Sequence, residues 1–290
     1  MLAQLIVGGL ATGSCYALIA LALSIVYKTS DVLNFAQGEM AMISTFVALA
    51  LLEGAGAPFA VACAGTLVFA AVLGAATEFL FLRRAKNPTT LGLVIMTLGF
   101  EMILYGFAGW KWGSDPRTLA LPISDATVYH AGPVVVSQLN VAMFAVSLLL
   151  MALLFAFFRF TRLGIAMKAT AQNPEAARIM GIPSGRVLSF TWALSSVIGA
   201  VAGMLMAPLV MLDPNMMLDP LMKGFAAAVL GGMTSLPGAA AGAFMLGVIE
   251  SLFGGYVSTE FKSVVAFAII VLVLCVRPSG LFARHYIRRV

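Results

Sequence analysis

Long apolar runs follow one another along nearly the whole chain, separated by short stretches that carry most of the charge. They fall near 3–27, 33–52, 58–82, 91–110, 140–160, 188–211, 238–256 and 258–276, with a shorter apolar piece at 221–233. A helix rises 1.5 Å per residue, so about 20 apolar residues cross a hydrocarbon core of about 30 Å. The pattern predicts an all-α fold: a polytopic membrane helical bundle of about 8 transmembrane helices plus a short or re-entrant segment. The whole of 1–290 reads as one transmembrane domain, since no stretch is left over for a separate soluble core.

Two places depart from a plain succession of spans. If residues 31–39 were a water-facing connection, the apolar run after them, 40–52, would have only 13 residues, too short to cross. Starting that span near residue 33 restores its length and brings Asn34, Gln37, Gly38 and Glu39 into or near the membrane. Polar groups at depth face a bundle interior or a watery cavity, and Gly38 would permit local unwinding. These four residues are candidates for a translocation path, with an ordinary polar helix entry as the alternative. The second departure is GGMTSLPG at 231–238, which breaks an apolar stretch with glycine and proline but no charge. Two short half-helices interrupted in this way are a transporter signature, and they make Gly231, Gly232, Thr234 and Ser235 further candidates. A tight turn between a short and a normal span reads equally well. A faint internal echo places Glu53 on Glu250 when Val32-Leu33 is laid on Val229-Leu230.

Charge then orients the spans. An alternating path puts 13 of the 17 Lys and Arg residues on one side, among them Lys28, Arg83, Arg84, Lys86, Arg159, Arg178, Arg284, Arg288 and Arg289. Lys111, Arg117, Lys223 and Lys262 fall towards the other. By the positive-inside rule the N-terminus is outside and the C-terminus inside, so the net charge of +5 is a topology signal and not a nucleic-acid footprint. Hydrophobic residues make up 61% of the chain and charged ones 10%, and there is no basic n-region ahead of the first run, so it reads as a span and not as a cleaved leader. The connection 111–139, with Asp115, Pro116, Pro122 and Pro133, is the longest external loop.

A third segment, 162–187, lies on the cytoplasmic side. Asn173 is a favourable N-cap, Pro174 suits the first helical position, and Glu175 sits where the helix dipole favours an acid. Gly181 suits the position after the end, with Pro183 beyond it. The signals define a helix of about two turns, 174–180, in which small Ala176 and Ala177 would let a partner's groove close around it. A plain capped surface helix is the alternative.

Glu78, Glu101 and Glu250 lie within apolar spans, where they would serve a proton or substrate path or be hydrogen-bonded inside the bundle. Gly9 with Gly13, Gly199 with Gly203, and Gly238 with Gly242 have the spacing of close helix packing. Cys15, Cys63 and Cys275 have no metal-ligand spacing, and His130 and His285 are the only histidines. The sequence contains no phosphate-binding G-x-x-x-x-G-K-[ST] loop and no nucleophile–base set, so it reads as a non-enzyme driven by an ion gradient or by a separate subunit.

Together these segments resemble a family. Glu175-Ala176-Ala177 with Gly181 fits the EAA-x-x-x-G coupling loop of ABC importer permeases. NFAQGEM near the start, AVLGGMTSLPGAAAGAFMLGVIES near the end and the terminal RPSGLF resemble the membrane subunits of branched-chain amino acid ABC importers, most of all the shorter of the two paired permeases. The resemblance implies an assembly with a second permease subunit, two cytoplasmic ATPase subunits and an external solute-binding protein, in a bacterial cytoplasmic membrane. It implies that 174–181 is the coupling helix, that this chain binds no cofactor, and that ATP and Mg are used by the partners. Gln37 departs from the family, in which His is frequent, so the substrate class does not transfer with the motif. The competing reading is a stand-alone secondary transporter or channel for a small polar solute, with Glu39, Glu101 or Glu250 as its coupling acid.

Overall fold

The computed structural model describes residues 1–85, 89–123, 127–131, 134–259, 261–277 and 280–282. Lys86, Pro133, Pro278, Ser279, Arg284, His285, Arg288 and Arg289, which enter the charge and motif readings above, lie outside the described residues. The helices, in order, are α1 (Leu2–Ser30), α2 (Gln37–Leu49), α3 (Phe59–Thr77), α4 (Thr90–Trp112), α5 (Gln138–Phe160), α6 (Arg162–Gln172), α7 (Pro174–Ile179), α8 (Ser184–Val210), α9 (Leu218–Gly231), α10 (Leu236–Tyr256) and α11 (Lys262–Val276). Single π-helical turns extend α2 through Ala50–Gly54 and α3 through Glu78–Leu82. Six helices (α1, α3 with its π turn, α4, α5, α8 and α10) are long and apolar enough to cross a membrane, while α11 is apolar but shorter. The chain is helical as expected, with one departure inside the 111–139 connection. There β1 (Val128–Ala131) and β2 (Val134–Ser137) pair antiparallel, with Val128 opposite Ser137. The Val128-Tyr129 pair and the valine run 134–136 favour a strand, a signal the apolar-run reading passed over.

The helices group into two compact units. One comprises Met1–Ser24, Ile123–Ser147 and Asp219–Val290; the other comprises Ile25–Pro122 and Leu148–Leu218.

In the first unit α1 and α10 pack through glycine. A Cβ on Gly9 would lie 2.7 Å from the Gly247 carbonyl oxygen, and one on Gly13 would lie 2.9 Å from that of Ala243. In lipid, apolar side chains gain nothing by leaving a solvent as apolar as themselves, so close backbone contact is what holds such pairs. The Ser251 hydroxyl adds a 2.6 Å bond to the Leu5 carbonyl. Gln4 brackets Val135 of β2, accepting from its N–H at 2.8 Å and donating to its carbonyl.

The second unit is built on α8, against which α2 and α3 lie. Gly203 of α8 faces Thr45 and the Ala41 carbonyl of α2, and Gly74 of α3 faces Trp192 and Ser196 of α8. Trp192, Phe46, Met40 and Met42 are among the largest fully buried side chains here. All three glycine pairs expected to mediate close packing therefore do so, since Gly238 and Gly242 meet α9 as described below.

Candidate functional site

The chain leaves α1 at Asp31, whose φ of +53° ends the helix, and resumes at Gln37. The unwound stretch is thus 31–36, and Gly38, expected to allow the unwinding, is instead inside the first turn of α2. Asn34, Gln37 and Glu39 are each at most 2% exposed. Gln37 is the junction. Its Oε1 accepts from Asn34 Nδ2 at 3.1 Å and from the Ser195 hydroxyl of α8 at 3.0 Å, while its Nε2 donates to the Ser195 carbonyl at 3.1 Å. Thr97 of α4 holds the loop backbone, with Oγ1 accepting from Phe35 N–H at 3.3 Å and lying 3.2 Å from the Leu33 carbonyl. Two acceptors, Asn34 Oδ1 and Glu39 Oε2, are buried without a hydrogen bond. The polar residues Asn34, Gln37 and Glu39 of the opening stretch are therefore buried within the helical unit.

The second interruption is tighter. α9 ends at Gly231, Gly232 takes φ +98°, and Ser235 N–H donates to the Gly232 carbonyl at 2.9 Å. Ser235 then caps α10, its hydroxyl accepting from Gly238 N–H at 3.2 Å, with Pro237 in the first turn. Gly231 and Gly238 face each other backbone to backbone, and a Cβ on either would strike the other's carbonyl. The terminal segment closes the turn. Leu281 N–H donates to the Leu230 carbonyl at 2.9 Å and Phe282 N–H to that of Gly231 at 3.2 Å. These are two of the orphan carbonyls at the end of α9, and their capping gives Leu281 and Phe282 a structural role. Thr234 is exposed at the tip.

α7 has the ends expected of it. Asn173 Oδ1 accepts from Glu175 and Ala176 N–H at 3.1 and 3.0 Å. At the other end Ile182 N–H reaches the Ala177 carbonyl and Gly181 N–H that of Arg178, with Gly181 at φ +81°, the Schellman pattern. Ala177 faces inward at 4% exposure, whereas Ile179 and Met180 are 86% and 81% exposed, so the outward apolar groups are these two, with Ala176 beside them. Arg178 Nε bonds the Ser184 hydroxyl at 2.9 Å, joining α7 to the start of α8. One turn on, Ser189 donates to Glu78, and Arg83 binds both Glu78 oxygens at 3.3 and 3.2 Å and also the Gly185 carbonyl. Glu78 is therefore a bundle-internal fastening between α3 and α8.

A further cluster was hidden by the apolar pattern, which placed Lys223 on the external side. Lys223 in α9 is buried, with Nζ 2.6 Å from Glu250 Oε1 of α10 and 2.7 Å from Asp219 Oδ2 one turn back. Ser263 of α11 donates to Asp219 Oδ1 at 2.9 Å, and the Tyr16 ring of α1 lies 5.7 Å from Nζ. The i, i+4 spacing of Asp219 and Lys223 was the available signal. Glu53, the echo partner of Glu250, is exposed in its π turn and shares none of this environment.

The model of the branched-chain amino acid transport system permease component family matches residues 5–274. The chain belongs to this family. Among the permease's relatives, the high-affinity branched-chain amino acid transport system permease protein LivH of Salmonella typhimurium is 32% identical, over 99% of this chain and 97% of that protein. The corresponding protein BraD of Pseudomonas aeruginosa is 30% identical over the same shares. A solved structure, PsaBC from Streptococcus pneumoniae in complex with Fab, matches with a TM-score of 0.52 at 16% identity, covering 94% of this chain and 91% of that one, a likeness of fold. The permease is a multi-pass helical membrane protein of the transport class.

Proposed function

We propose that this permease is the shorter membrane subunit of an ATP-driven ABC importer that moves branched-chain or related amino acids across the bacterial cytoplasmic membrane. Its partners are a second permease subunit, two cytoplasmic ATPase subunits that use ATP and Mg, and an external solute-binding protein. The observation that carries the proposal is α7, a six-residue helix capped at both ends, showing Ile179 and Met180 to the outside and fastened through Arg178 to α8. A short polar helix isolated in water is unstable, so its caps and its fastening serve to hold those two side chains in place.

In this reading α7, with Asn173, Pro174, Glu175, Ala176, Ala177 and Gly181 setting its ends, seats in an ATPase groove. Motion of that groove passes through Arg178–Ser184 into α8, which the Glu78–Arg83–Ser189 cluster locks to α3 as one body. α8 carries Ser195, and Ser195 holds Gln37. Displacement of α8 therefore reaches the 31–36 break directly, and Asn34, Gln37, Gly38 and Glu39 form the part of the path wall that responds. Gly231, Gly232, Thr234 and Ser235 are the second proposed part.

Affinity purification from the native membrane tests the assembly. A P-loop ATPase should accompany the native chain and be lost from an Ile179→Asp, Met180→Asp variant that remains monodisperse. Recovery of well-folded native chain without any ATPase, or equal recovery of the ATPase with the variant, would sink the proposal.

A further inference from the structure

The Lys223 cluster faces the middle of α1. Tyr16, which faces it, has 14 helical residues of α1 on either side, and Gly224 of α9 packs on Ile19. α9, with 14 residues, is about half the length of α1. Ionisable groups there are costly, and those that persist mark function more often than packing.

The charge and the access of the cluster point to a ligand. It holds two carboxylates and one ammonium, so it carries one uncompensated negative charge. Glu250 Oε2 is buried with no hydrogen bond of ordinary geometry, and the Tyr16 hydroxyl beside the carboxylate is the donor nearest to it. The Asp219 side chain is 56% exposed, so the cluster is accessible from one end although Lys223 and Glu250 are buried. A purely structural ion pair needs no surplus charge.

We propose that Lys223, Glu250 and Asp219 receive the charged headgroup of the transported amino acid, with its α-ammonium on Glu250 and Asp219 and its α-carboxylate on Lys223. This rests on the importer reading above. When empty, the cluster pairs its own charges. A zwitterion exchanges the Lys223–Glu250 pair for two new pairs and leaves every buried charge compensated. A carboxylic acid without an ammonium takes Lys223 and strands Glu250, which is strongly destabilising in a buried setting, whereas a simple amine leaves Lys223 on Asp219. Rejection of simple carboxylic acids thus follows from the requirement that pairing be conserved.

The test uses the complete assembly, purified and returned to proteoliposomes, with ATP-driven uptake measured at saturating leucine. Glu250→Gln should lower uptake at least about tenfold, corresponding to about 1.4 kcal/mol. Because a lone Lys223 change would leave carboxylates unpaired and threaten folding, the second variant is the double Lys223→Met, Glu250→Leu, which removes both charges together. It should assemble with its partners yet remain at least about tenfold slower. In a parallel readout without the binding protein, leucine should raise the melting temperature of the native assembly, whereas 4-methylpentanoate should not, and Glu250→Gln should abolish the leucine effect. Wild-type uptake by the double variant, or an unchanged leucine shift in Glu250→Gln, would overturn the headgroup site while leaving the importer reading intact. A native assembly that neither transports leucine nor is stabilised by it would overturn both.

Discussion

At 31–36 the loose backbone and polar groups are gathered by side chains: Thr97 for the loop backbone, and Gln37 with Ser195 for the entry to α2. At 232–235 almost no side chain takes part. The turn exists because Gly231, Gly238 and Gly242 let two helix backbones touch and because Leu281 and Phe282 offer their N–H groups to the last carbonyls of α9. One interruption is thus specified by hydrogen-bonding chemistry and the other by the absence of Cβ atoms. The first is able to rearrange by exchanging partners, whereas the second has to keep its shape or lose its packing. A path wall that changes during transport is expected at the first, and a fixed pivot at the second.

The sharpest way to break this contrast is Gly238→Val. Its Cβ would meet the Gly231 carbonyl, a backbone atom that cannot swing aside. Overpacking of that kind costs about 1–3 kcal/mol or more, so the variant should show the largest loss of thermal stability, read as the fraction remaining monodisperse after heating. Next comes Gln37→Leu, which preserves size but removes the three hydrogen bonds that Gln37 makes to Asn34 and to the Ser195 hydroxyl and carbonyl. Leaving buried groups unsatisfied costs about 1–3 kcal/mol. Transport should fall further than stability if the first break moves, and an unchanged uptake rate would show that Gln37 is only a strut.

The same contrast explains what was legible in the sequence. Spans, caps and close-packing glycines follow from local rules, and α7 is the clearest case because Asn173, Pro174 and Gly181 each act within one turn of their own position. The two interruptions were visible as violations of span length. Gly38, however, was assigned an unwinding that occurs at Asp31, because a glycine signals conformational freedom and cannot signal whether a helix uses it. The outward Ile179 and Met180 and the inward Ala177 were missed because two turns are too short to establish a face. Lys223 counted only as a charge towards the external side because its compensation by Glu250, 27 residues on, is a tertiary fact.

Two smaller substitutions refine the comparison. Gly232→Ala adds a Cβ at φ +98°, a conformation that costs an L-residue about 1–2 kcal/mol. It should lower the melting temperature without altering which solutes compete for uptake, since a pivot sets geometry and not recognition. Thr97→Val should have the smallest effect, about 1 kcal/mol for one hydroxyl that serves the Phe35 N–H and the Leu33 carbonyl. Its value lies in the direction of the transport change. Freed from Thr97, the 31–36 loop should respond more readily to α8, giving a raised ATP-independent leak alongside a nearly unchanged melting temperature. A lowered melting temperature with no leak would mean that the first interruption, like the second, is held as a fixed turn, and that the moving wall of the path lies elsewhere in the chain.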